Sequence, residues 1–424
     1  MFNPALFDRM SWRMSQVYAS IVDRLLVNIA RHFPYMTGKP PGGTFEYLVR
    51  MLAQLGQVNQ ESVDIIVNGL SGADQAVRDA LIAAIKDVLK DVDPPLRKAA
   101  EAGLFGQQTF LPPIQPNQTQ AFMQYYRQSA DKLNLVNTVM LESTQHAYSS
   151  TVTDIVQKMN QTQGILNAGA GEMIAGTATW NQVVTSSVQA MIATGITGFI
   201  DHANRHWSPE AYVAMDVRTT MSNVARATIW EENSTYGNDL YVVSTHAGAR
   251  PLCYPWQAKV ISQIDAPRIV TDLNGNTIQV YAQSETTYGE PAGLFGINCR
   301  HYPMPFFPGL SMIRGEPQDQ ETNDRMYQEE QHQRRLEREL RYAKRDYAVE
   351  KARGAPPEVL GRYKDRVDRA SGRLSDFCEE TGRNRKRNRE RTPVQATFPA
   401  ANNPAPMPTQ VQQDISQYYQ GQPN

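Results

Sequence analysis

Ser244-Thr245-His246-Ala247-Gly248-Ala249-Arg250-Pro251-Leu252-Cys253-Tyr254-Pro255-Trp256-Gln257 and Gly293-Leu294-Phe295-Gly296-Ile297-Asn298-Cys299-Arg300-His301-Tyr302 are the two stretches on which the reading of this chain turns. Between them they hold two of its three cysteines and two of its seven histidines. Both lie among β-rich runs. Leu240 to Thr245 leads into the first, Lys259 to Ser262 follows it, and Arg268 to Leu273 and Thr277 to Tyr281 then flank Asn274-Gly275-Asn276. An Asn-Gly step between two such runs favours a tight hairpin turn. Residues 239–310 therefore read as a small α+β, mostly β, module whose loops carry the unusual side chains.

Upstream, the hydrophobic period becomes helical. Val17, Ile21, Leu25 and Ile29 recur at helical spacing until Lys39-Pro40-Pro41-Gly42-Gly43 breaks the pattern. Thr44 is placed to open a helix through Leu55, and Ser71 with Asp74 resembles a capping box for a helix from Gly72 to Leu89. Residues 1–115 read as an N-terminal helical bundle. Residues 116–238 read as a long-helix region, with helices from Thr119 to Gln161 and Ala175 to Ile200 joined across Gly164 to Gly171. Ser208-Pro209-Glu210 then supplies a capping hydroxyl, a proline at the first helical position and an acid at the positive end of the helix dipole. Behind it Val213, Val217, Met221, Val224 and Thr228 line one face, predicting a helix to about Glu232.

Downstream, residues 311–381 are highly charged and read as a helical hairpin. Leu336, Leu340, Ala343 and Tyr347 form one thin apolar seam, Gly354-Ala355-Pro356-Pro357 breaks it, and Tyr363, Val367, Ala370, Leu374 and Phe377 resume it. Seams with so few large apolar residues predict a hairpin that needs a partner surface. Residues 382–424 read as a basic, then Pro/Gln/Asn-rich, disordered tail. The fold class is thus α+β: a mainly helical N-terminal two-thirds, a small loop-rich β-containing module, a C-terminal hairpin and a tail.

At 424 residues the chain exceeds what one core usually organises. Its 42 basic and 43 acidic residues leave a net charge of -1, so attraction to nucleic acid or anionic lipid must be local. An odd cysteine count gives no disulfide framework, and no basic-plus-apolar signal region is recognised, so assembly in a reducing cytoplasm is expected. The longest apolar run, Ala190 to Ile200, is too short for a membrane span.

The candidate chemistry is sparse. His246, Cys253, Cys299 and His301 are a two-Cys, two-His set of the kind that holds structural zinc in a tetrahedron, and such a site would tie the Ala247–Trp256 loop to the Gly296–Tyr302 loop. Neither half has the C-x2-C spacing that usually announces zinc, and the alternative is that both cysteines are small buried apolar residues. A Cys-His hydrolase built on Cys299 needs an orienting acid and an oxyanion site, and no catalytic-cysteine signature surrounds it. Nucleotide-loop, zinc-protease and nucleophile-elbow motifs are missing, so no enzyme is expected. Arg383, Arg385, Lys386, Arg387, Arg389 and Arg391 form a basic run suited to sequence-independent phosphate contact, or equally to a solvated tail.

The words Gly-Ala-Arg-Pro at 248–251, Pro-Trp-Gln at 255–257 and Gly-Ile-Asn-Cys-Arg-His at 296–301 resemble the phage minor capsid protein 2 family, itself related to the Mu F-like head morphogenesis proteins. The similarity extends through Ile200-Asp201, Arg205-His206-Trp207 and Arg218-Thr219 to the Arg/Glu-rich helix after Gly309. Two departures are Ala258, where members commonly have glycine, and a longer hairpin from Arg268 to Tyr281. The resemblance implies a low-copy structural protein of a tailed-phage head, assembled in the host cytoplasm. Its implied partners are the portal, the major capsid or scaffolding protein, and packaged DNA inside the shell. A DNA-binding internal protein ejected with the genome is the alternative, and a Cys/His-dependent hydrolase or toxin a more distant one.

Overall fold

The computed structural model describes residues 4–35, 55–73, 75–87, 120–168, 180–194, 199–200, 206–313 and 315–392. The helix expected from Thr44 to Leu55 and the Pro/Gln/Asn-rich segment after Thr392 lie outside these residues, as do most of the residues around Gly171.

Helix α1 (Pro4–Arg31), helix α2 (Leu55–Gly69), a helix over 75–87 (α3), α4 (Gln120–Ala168), α5 (Trp180–Thr194) and α6 (Pro209–Thr235) share one apolar core. Ile21, Leu25 and Ile29 of α1 are fully buried, and so are Val213, Met221 and Val224 of α6. The helical spacing read from the sequence is therefore the spacing that packs, with α1 lying along α6 and α4 flanking α6 on another side. The α4 helix runs on through the expected join at Gly164. Between α5 and α6, Phe199–Ile200 (β1) pairs antiparallel with His206–Trp207 (β2), a two-residue ribbon too short to leave a periodic signal.

The module after α6 is a five-stranded mixed sheet in the order β5-β6-β4-β3-β7. Its strands are β3 (Leu240–Val243), β4 (Val260–Ser262), β5 (Arg268–Thr271), β6 (Thr277–Ala282) and β7 (Pro303–Pro305). β4 and β6 run parallel, and every other pairing is antiparallel. Alternation along β3 places Leu240 and Val242 in one small core with Val260, Val280 and Phe306, and Tyr241 and Val243 in another with Ile261, Leu294 and Phe295. Strand β7 was not foreseen, because Pro303 and Pro305 have no N–H to donate. It survives as an edge strand because the prolines fall between the bonded positions: the Tyr302 carbonyl accepts from Ser244 N and Phe306 N donates to the Leu240 carbonyl, so no proline N–H is called for. The β5–β6 turn is wider than a two-residue hairpin: the Asp272 carboxylate accepts from Asn274 N and Asn276 N at 2.8 Å, while Gly275 takes a positive φ of 80°.

Helices α7 (Gln320–Ala352) and α8 (Pro357–Glu380) form the expected hairpin, with Leu336, Leu340, Ala343, Ala370 and Leu374 buried along the seam. Cys378 completes that seam. The partner surface that the hairpin needed is the helical body itself. Arg345 of α7 is buried between Asp23 of α1 (2.5 Å) and Glu210 of α6 (2.8 Å). Arg353, fully buried, donates to the Phe33 carbonyl and to Glu350. Glu210 thus serves as a buried counter-ion, and the Ser208 hydroxyl, expected to cap α6, makes no capping bond: its carbonyl accepts from Tyr212 N as the first bond of the helix.

Candidate functional site

The register of β3 against β7 decides where the two signature loops meet. Val243 pairs with Pro303, so the chain leaving β3 and the chain entering β7 stand side by side. Ser244 N donates to the Tyr302 carbonyl at 3.1 Å, and Tyr302 N to Ser244 Oγ at 3.1 Å. One step further, the His246 and His301 rings stack with centroids 4.2 Å apart.

Three of the four residues read as ligands converge. Cys253 Sγ lies 3.9 Å from Cys299 Sγ, and Cys299 Sγ lies 3.4 Å from His301 Nδ1. The three are 1%, 5% and 5% exposed, and their ligand atoms all fall within 4.8 Å of one another. His246 lies outside this trio: half-buried, it turns Nδ1 to the Ala247 carbonyl at 3.0 Å. Burial and the neighbouring His301 push its pKa down to about 4, so at neutral pH its ring is uncharged.

Hydrogen bonding fixes the state of His301. The Gln257 side-chain atom that receives the His246 backbone N–H at 2.7 Å must be an oxygen, since a backbone N–H only donates. That same oxygen lies 3.3 Å from His301 Nε2, which therefore carries a proton and leaves Nδ1 facing Cys299. Cys299 Sγ also accepts from Phe295 N at 3.3 Å. The Cys299 thiol is held below its ordinary pKa first by the hydrogen bond from Cys253 and then by His301, against the opposing effect of burial. Cys253 moves the other way, raised by that same bond and by burial.

Glycine and arginine hold the loops in this shape. A Cβ on Gly293 would lie 2.0 Å from the Thr287 carbonyl oxygen, and one on Gly296 would lie 2.5 Å from that of Glu290. Arg250 crosses between the loops, donating to the Ile297 carbonyl at 2.8 Å and to that of Gly293 at 3.1 Å. Two anchors come from outside the signatures. Arg226 of α6 donates to the Phe295 carbonyl at 3.0 Å and lies over the Trp230, Tyr288 and Phe295 rings. Asn323 of α7, 1% exposed, accepts from Ala249 N at 2.7 Å and donates to the Ala249 carbonyl at 2.9 Å. Neither was found from sequence, since a lone Arg or Asn on a helix carries no local signature.

The basic run requires a correction. Residues 383–392, expected to be part of a flexible tail, fold back on α7 because α7 presents acids to meet them, and residues 387–390 form a 3-10 turn. Arg383 reaches Gln333 Oε1 and Glu329, Arg385 pairs with Glu390, and Arg389 lies 3.9 Å from Glu337. Lys386 and Arg389 thereby join Arg218 of α6, Arg300 of the second signature and Arg334 of α7 around Glu330. Burial, and after it the neighbouring cations Arg300, Arg334 and Arg389, lower the pKa of Arg218 to about 9, while Arg218 also pairs with Asp8 of α1. Arg387 and Arg391 belong to the same folded segment.

A single buried frame of helices, a small mixed sheet and two interlocked loops thus describes a scaffold. The family model for phage minor capsid protein 2 matches residues 2–379, and the chain belongs to that family. It is also 25% identical over 311 residues to a structural protein of Lactococcus phage LL-H, covering 73% of this chain and 78% of that protein. No solved structure matches it. Among the described residues no helix is long and apolar enough to cross a membrane.

Proposed function

We propose that this chain is a minor structural protein of the phage virion that docks on the portal or inner shell, touches packaged DNA without reading its sequence, and catalyses nothing. The carrying observation is the family membership across residues 2–379, with a relative that is itself a phage structural protein. Burial of Cys299 argues against the hydrolase alternative: the residue is 5% exposed and its sulfur contacts Cys253, Phe295 N and His301. The cations around Glu330 support phosphate contact, because Arg218, Arg300, Arg334, Arg383, Lys386 and Arg389 outnumber the acids Asp8, Glu329, Glu330 and Glu337 there.

Heads assembled in the absence of the chain test the structural part. Loss or misassembly of filled particles is expected, together with cofractionation of the protein with portal; normal packaging without it would overturn the reading. For DNA contact, binding of the full chain to duplex DNA is measured against salt. Replacing Arg300 and Lys386 by Gln should flatten the slope of log affinity against log salt by about 0.9 for each phosphate that is no longer neutralised. An unchanged slope would exclude DNA as a partner of this cluster.

A further inference from the structure

The paired loops bring together three side chains that could hold one metal ion: Cys253, Cys299 and His301. A tetrahedral zinc ion with Zn–S near about 2.3 Å and Zn–N near about 2.0–2.1 Å sets its sulfurs about 3.8 Å apart, and a sulfur and a nitrogen about 3.6 Å apart. Cys253 and Cys299 stand at 3.9 Å, and Cys299 and His301 at 3.4 Å. The His301 Nε2 proton is donated to Gln257 Oε1, so Nδ1 is the ring nitrogen placed toward the sulfur, where a metal would bind. This is the arrangement in which an outer carbonyl oxygen orients a metal-binding imidazole.

We infer that Cys253, Cys299 and His301 bind a zinc ion, with His246 giving up its contact to the Ala247 carbonyl to close the fourth position, and that this ion locks the two signature loops together. Two thiolates balance the charge of the ion, so the filled site is neutral and compatible with burial. Both thiol protons leave to solvent as the Zn–S bonds form, with no change of oxidation state. Donors already face the sulfurs: Phe295 N at 3.3 Å from Cys299, and Arg250 Nη2 at 3.7 Å from Cys253. The first ligand loop is anchored on α7 through Asn323, and the second on α6 through Arg226. A metal joining the loops would therefore also join those two helices through the module.

Elemental analysis of the full chain, purified with reductant and without chelator, should give one zinc per chain. Cobalt(II) added to the stripped protein should produce the thiolate-to-cobalt charge-transfer band of a tetrahedral site, a readout that needs no variant to fold. Cys253→Ser and Cys299→Ser should each lose the metal, and Cys378→Ser, remote in the helical hairpin, should retain it. His246→Ala, which leaves three protein ligands and a water in the fourth position, should keep one zinc but bind it more weakly. The inference is overturned if the unmodified chain holds less than about a tenth of an equivalent and shows no cobalt band. It is equally overturned if the chain proves to carry a Cys253–Cys299 disulfide, seen as a mass lower by two hydrogens. Unchanged affinity in His246→Ala would remove His246 from the site.

Discussion

Ala258 follows the Pro-Trp-Gln word and closes the first loop into β4, and it does so at a φ of 58°. A left-handed alanine costs roughly 1–2 kcal/mol, whereas glycine accepts the conformation at an entropic cost of about 0.5–1 kcal/mol in the unfolded chain. Glycine at this position would thus be the relaxed choice. Ala258→Gly is expected to stabilise the module by up to about 1 kcal/mol, measured as a shift in the denaturant midpoint at constant m-value. Gly296 predicts the opposite sign, although its φ is not in the left-handed region. The oxygens of Glu290 and Pro291 occupy the space where a side chain would begin, at 2.5 and 2.6 Å. Gly296→Ala should cost about 2–3 kcal/mol by forcing backbone apart, and an unperturbed midpoint would mean that the loop yields freely.

At the scale of elements, the α7–α8 hairpin shows where a sequence stops being informative. Its seam was legible because Leu336, Leu340, Ala343, Ala370 and Leu374 repeat with a period, and periods survive in a string of letters. Its docking was not, because it depends on single residues distant in sequence. Asp23, Glu210 and Arg345 are separated by more than a hundred positions at each step, and each has an ordinary local reading; Glu210 looked like a dipole-compensating acid. The Cys-His loops fall between these cases. Cys299 and His301 are two apart on an extended segment and could be paired by eye, whereas Cys253 joins them only through the β3–β7 register, and His246 stacks beside the trio rather than within it. The buried triad gives a firm expectation. Burial would raise both carboxyl pKa values; Asp23 is left at about 6, while Arg345 pulls Glu210 below its usual range. Arg345→Met strands two carboxylates in the core and should destabilise the helical body by about 3–5 kcal/mol. Adding Asp23→Leu and Glu210→Leu to that variant should recover most of the loss. A triple variant as unstable as the single one would show that the arginine acts through packing instead of charge.

Across the whole molecule, Glu330 is the point at which four parts meet. It accepts from Arg300 of the second signature at 2.9 Å and from Arg334 of its own helix at 2.8 Å. Arg218 of α6 and Lys386 and Arg389 of the terminal turn add to the positive potential around it. Burial alone would raise its pKa, yet Arg300 and Arg334 prevail and bring it to about 2. A folded-state pKa below the unfolded value means that the ionised carboxylate stabilises the fold. That contribution is complete above about pH 4.5 and is lost as the pH falls through about 2. Glu330→Gln should therefore lower stability at neutral pH by about 3 kcal/mol and flatten the acid limb of the stability curve below about pH 4.5. The same substitution removes an acid from the cation cluster, so affinity for duplex DNA should rise and its salt dependence steepen. Stability and DNA affinity then move in opposite directions in a single variant, a combination that general unfolding does not produce. If both fall together, the cluster serves only to fasten the terminal turn and the second signature loop to α7, and any phosphate contact belongs elsewhere on the chain.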